Sequence, residues 1–97
     1  MIATVAVNPA LTNFKTELLN LCDVILKDIY VPDNKENIEQ VLEHQRSKAQ
    51  AIELFDKKSK AMKARYSRNY PALEYHFENL ETLITETFVN QWYNIQP

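Results

Sequence analysis

Glycine is missing from the 97 residues altogether, where about seven in a hundred would be ordinary. Gly is the default residue for positive-φ positions in tight hairpins and bulges. A β-rich fold without it would have to build every such turn from Asn or Asp. Phosphate-cradling Gly loops and dinucleotide fingerprints are excluded outright. Cysteine is nearly missing too: Cys22 is alone, which removes an intrachain disulfide framework and any Cys-based zinc site. No run approaches the roughly 18 apolar residues of a membrane span. The opening "MIATVAV" has neither the basic start nor the long apolar stretch of a secretory signal. A cytoplasmic protein with no membrane association is expected.

What is present reads as all-α. Asn8 and Pro9 announce a first helix, Asn8 as N-cap and Pro9 at the first helical position. Leu11, Phe14, Leu18, Leu21, Cys22, Ile25 and Ile29 then recur at three- and four-residue steps on one face. Pro32 ends that segment, because the residue before a proline is driven out of the α region. Asp33, with Glu36 three residues on, resembles a capping box and predicts a second helix from residue 34. Its stripe runs through Ile38, Val41, Leu42, Gln45, Ala49, Ile52, Phe55, Met62 and Tyr66. No large apolar residue lies on it between Phe55 and Met62, so a break near residues 56–59 is an open alternative to one continuous helix. Pro71 is the second stop, with Asn69 as a cap or left-handed residue. A third stripe holds Leu73, Phe77, Leu80, Leu83, Ile84, Phe88, Gln91 or Trp92, and Ile95.

Short links around residues 31–33 and 69–71 force antiparallel neighbours. The expectation is an antiparallel up-down-up three-helix bundle with a long central helix. Its helices cover about 9–30, 34–68 and 71–95, in one domain from residue 8 to 97. Residues 1–7 are read as an extended N-terminal arm strapped over the bundle end. A continuous second helix would project beyond the other two and leave apolar positions for a partner chain to cover.

Charge is unevenly spread. The net value is −2, but residues 33–68 carry nine cations against six carboxylates, while residues 69–97 carry four glutamates and no Lys or Arg. Lys57, Lys58, Lys60, Arg65 and Arg68 fall in one broad arc of the second helix, opposite Ile52, Phe55, Met62 and Tyr66. Such an arc is ordinarily the wet side of an amphipathic helix; its functional reading is a patch for an acidic protein or for phosphates. Few aromatics interleave it, and Arg is scarce beside Lys, which disfavours nucleic acid.

Neither histidine, His44 nor His76, has a carboxylate three residues before it, so the Glu-x-x-His pattern of di-iron bundles is missing; both read as surface or boundary residues. Cys22 reads as core. No catalytic residue, cofactor or metal site is expected. Trp92 and Tyr93 close the chain, and such residues are enriched in binding hot spots.

These observations point to a small non-catalytic protein–protein interaction module, an adaptor or inhibitor acting as a homodimer. Candidate contacts are Lys57, Lys58, Lys60, Arg65, Arg68, Trp92 and Tyr93. The alternative is a nucleic-acid-binding bundle using the basic face. In size and style the chain is similar to small modulators carried by phages and mobile elements and to helical bacteriocin immunity proteins, with no motif in common.

Overall fold

The computed structural model describes residues 8–97, so the expected arm at residues 1–7 lies outside the described residues. The chain forms helices α1 (Pro9–Lys27), α2 (Ile38–Asn69) and α3 (Glu74–Asn94), with one 3-10 turn at Pro71–Leu73 before α3. Each helix packs on the other two. The result is an all-α three-helix bundle.

Local chemistry places the ends. Asn8 caps α1, its side chain accepting from the Ala10 N–H at 2.9 Å. Pro9 then costs nothing, since its missing N–H would have had no helical partner. The helix stops at Lys27 rather than near residue 30, where the Asp28 and Ile29 amides tighten back onto Val24, Ile25 and Leu26 carbonyls. This folds Ile29 inward. The link to α2 therefore spans residues 28–37, longer than expected. Asp33 is not the cap. Asn37 is, accepting from the Gln40 N–H at 3.2 Å. Gln40 in turn accepts from the Asn34 N–H at 3.0 Å, and Asn34 Oδ1 accepts from the Glu36 N–H at 3.0 Å. Residues 34–36 are thus held in an Asx turn, and helix begins only after it.

From there α2 runs unbroken for 32 residues, about 48 Å at 1.5 Å per residue. The break considered at residues 56–59 does not occur. Ser59 fills the gap in the stripe: it is buried, its hydroxyl donating to the Asp56 carbonyl, so a small side chain suffices to keep that face inside. Asn69 is the last residue of α2, not a left-handed cap. Among the described residues no φ is positive. Both reversals are made without a left-handed residue, and a chain without glycine can therefore build them.

Aromatic contacts set the register. Phe14 of α1 meets Tyr66 and Phe77, with ring centroids 5.2 and 5.0 Å apart. Phe55 stacks on Phe88 at 4.1 Å. At the other end, Trp92 Nε1 donates to the Lys48 carbonyl at 2.8 Å, and Lys48 Nζ donates to the Ile95 carbonyl at 2.9 Å. Residue numbers rise along α3 as they fall along α2, so the two are antiparallel. Phe14, Leu18, Phe77 and Phe88 are wholly enclosed, each burial contributing about 1.5–3 kcal/mol. Since α3 ends level with Lys48, the first two turns of α2 reach past it. Ile38 and Leu42 there stay 75% and 50% exposed.

Candidate interaction surface

The basic segment of α2 does not present one face. Arg65 reaches α1, its guanidinium 2.7 Å from the Glu17 carboxylate. Lys63 turns the other way, 3.6 Å from Glu81 of α3, with both side chains largely shielded. Lys60 pairs with Asp56 one turn back, at 3.1 Å, an exposed pair of small value. Lys57, Lys58 and Arg68 make no ion pair among the described residues. Arg68 sits in the last turn of α2, where a cation suits the helix dipole. The cause of the split is positional: a helix lying between two neighbours offers its flanks to both, so Arg65 of the exposed arc meets α1 while Lys63, outside that arc, meets α3.

Tyr66 sits inside this network. Burial raises its phenol pKa above the ordinary range, and the Glu17 carboxylate beside it adds to the rise, while Arg65 works against it.

Trp92 and Tyr93 also separate. Trp92 is half-buried, and Lys48 Nζ lies 4.3 Å from its ring centroid. It anchors α3 to α2. Tyr93 is 69% exposed and free for contact.

Two histidines and one thiol remain. His44, expected at the surface or the boundary, is buried instead. Its Nδ1 lies 2.6 Å from the Tyr30 carbonyl oxygen; a carbonyl can only accept, so Nδ1 carries the hydrogen. The Tyr30 N–H donates to Ser47 Oγ at 2.8 Å. His44 and Ser47, three residues apart and so on one face of α2, thus clamp both polar groups of one connecting residue. Sequence spacing held no signal for this pairing across the chain. His76 is exposed at the start of α3, and His44 lies at the far end of the bundle. Among the described residues no group of three His, Cys, Asp or Glu side chains is placed to hold a metal ion.

Cys22 is buried on α1. Burial raises its thiol to about 11, partly offset by a backbone hydrogen bond. Thiolate is the reactive form, so labelling by a disulfide reagent at pH 8 is expected to be slow until denaturant is added. Fast stoichiometric labelling of the native chain would contradict this burial. The sign of the pH effect follows. The unfolded thiol ionises near its ordinary 9.0 and the folded one near 11. Its contribution to stability is complete below pH 9 and is lost between pH 9 and 11. Cys22→Ala should flatten the stability profile in that window.

Apolar surface remains outside the core. Between α1 and α2 lies a groove of about 310 Å3, floored by Leu21, Ile25 and Ala51 and flanked by Val24 and Leu54. Val24 is 65% and Leu54 41% exposed. A second groove of about 420 Å3, between the starts of α1 and α3, includes Leu11, Leu80 and Leu83. Leu83, expected on the inner stripe, is exposed, as is Gln91. None of the helices among the described residues is long and apolar enough to cross a membrane. Comparison with protein-family models, curated proteins and solved structures found no match.

Proposed function

We propose that this chain is a non-catalytic protein–protein interaction module, an adaptor or inhibitor that acts as a homodimer by covering a surface on its partner. One observation carries this reading. After the core is complete, apolar side chains remain on helical faces: Val24 and Leu54 along one groove, Ile38 and Leu42 on the projecting end of α2. Helices that carry apolar residues beyond what their own bundle covers suit a partner chain. Tyr93, exposed at the end of α3, and the unpaired Lys57, Lys58 and Arg68 supply polar contacts around those faces. A phosphate-binding role is less well supported, because Lys60, Lys63 and Arg65 already face carboxylates.

The test is capture from an extract of the native cell with the tagged full chain, read by mass spectrometry, beside light scattering across concentration. A dimer and a specific co-purifying protein are expected. A strict monomer that recovers nothing would sink the reading. Affinity for generic nucleic acid that falls steeply between low and moderate salt would favour phosphate binding instead.

A further inference from the structure

The α1/α2 groove has a polarity that suits one occupant, a second copy of the same groove. Val24 on one helix and Leu54 on the other flank an apolar floor, while Ser47 and Gln50 line the α2 wall toward its Asp28 end. Lys58 is one turn along α2 from Leu54, and Asp28 is one turn along α1 from Val24. The helices are antiparallel, so these two charges stand at opposite ends of the groove and on opposite walls. Neither makes an ion pair among the described residues. Asp28 is moreover the C-cap of α1, where the helix dipole is already negative and a carboxylate is misplaced without a cation nearby. The neighbouring Lys27 is engaged with Asp23 at 2.8 Å.

From this geometry we infer that two copies join groove to groove about a two-fold axis crossing the groove at Val24 and Leu54. That axis sets the grooves antiparallel and carries the Lys58 end of each copy to the level of the Asp28 end of the other. Lys58 on the α2 wall of one copy is then level with Asp28 on the α1 wall of the other, and the long lysine side chain reaches across the groove to it, so both pairs form from one arrangement, as an isologous contact requires. Copies related by the parallel arrangement would set Lys58 level with Lys58 and Asp28 with Asp28. The breadth of the apolar arc on α1 agrees. Seven of the ten residues from Leu18 to Lys27 are apolar, more than the two neighbouring helices cover. The resulting interface is formed by α1 and α2 of each copy, leaving Tyr93 and α3 outside it. This inference rests on the homodimeric reading above and specifies its face and register.

Sedimentation velocity over a concentration series tests it, with helical content and melting checked for each variant by circular dichroism. Wild type is expected to dimerise. Val24→Glu, at an exposed site that leaves the fold intact, is expected to abolish the dimer. Lys58→Glu and Asp28→Lys should each weaken it at least about tenfold, since each creates two like-charge pairs. The double variant Lys58→Glu/Asp28→Lys should return to within about threefold of wild type. A dimer unaffected by Val24→Glu overturns this face while leaving the homodimeric reading intact. Weakened single variants without restoration in the double overturn the antiparallel register. A wild-type monomer that still captures another protein overturns the second copy as occupant but not the interaction reading.

Discussion

Phe14→Ala is expected to remove about 3–5 kcal/mol of stability, the range for deleting an enclosed aromatic side chain. Phe14 is wholly buried and joins all three helices, touching Tyr66 of α2 and Phe77 of α3. Tyr66 and Phe77 also contact one another, at 5.5 Å between centroids. The three rings form a closed cluster near the start of α1, so deleting one leaves the other two facing a void. Lost ring-to-ring contact adds about 0.5–1.5 kcal/mol per pair beyond area burial. A domain of this size is stable by about 5–15 kcal/mol, so the variant should melt at least about 12 °C lower. Urea unfolding followed through Trp92, the sole tryptophan, gives the number. Leu19→Ala on the same helix, partly exposed, is the control, expected to cost under about 1 kcal/mol. A Phe14→Ala cost no larger than that of Leu19→Ala would mean that the cluster does not close the bundle.

How far the sequence foretells this arrangement depends on where each signal resides. The α1 stripe was legible because Phe14, Leu18, Cys22, Ile25 and Ile29 are local and periodic, and each is buried. Asn8 with Pro9 was legible because a cap acts within three residues. The start of α2 was not. Asp33, expected to cap it, lies four residues before the actual cap, Asn37, and the difference turns on how Gln40 and Asn34 engage one another. The first turns of α2 also misled, because Leu42, Gln45 and Ala49 continue a plausible stripe yet lie outside, while Val41, His44, Lys48 and Ala51 turn inward. Polar side chains prevail there because Tyr30, brought from the preceding link, presents backbone groups that His44 and Ser47 satisfy, and because the Lys48 ammonium lies over the Trp92 ring and donates to the Ile95 carbonyl. Pairing between remote segments leaves no trace in local periodicity. The basic arc was legible as an exposed face, since Lys57, Lys58, Lys60, Arg65 and Arg68 all stay at the surface; what a helical wheel does not hold is the Glu17 carboxylate of α1 that engages Arg65.

The inward-facing histidine gives the second large effect. His44→Leu is expected to cost about 2–3 kcal/mol although leucine is the more apolar residue. The substitution removes the donor to the Tyr30 carbonyl, and leaving a part-buried acceptor unpaired costs about 1–2 kcal/mol, the lower part of the range for unsatisfied groups. The planar ring is also replaced by a branched side chain in a closed space, at roughly a further 1 kcal/mol. His44→Asn should cost less than leucine, because an asparagine amide can reach a similar point with an N–H donor. Ser47→Ala removes the other half of the clamp, the acceptor for the Tyr30 N–H, at about 1 kcal/mol. The two sites hold one residue between them, so their effects should not add. Hydrogen exchange locates the damage: in His44→Leu the amides of residues 28–37 should lose protection before those of α1 and α3 do, since that link is tied to α2 through Tyr30. Equal costs for leucine and asparagine at residue 44, with unchanged exchange in the link, would show that His44 acts by filling volume alone.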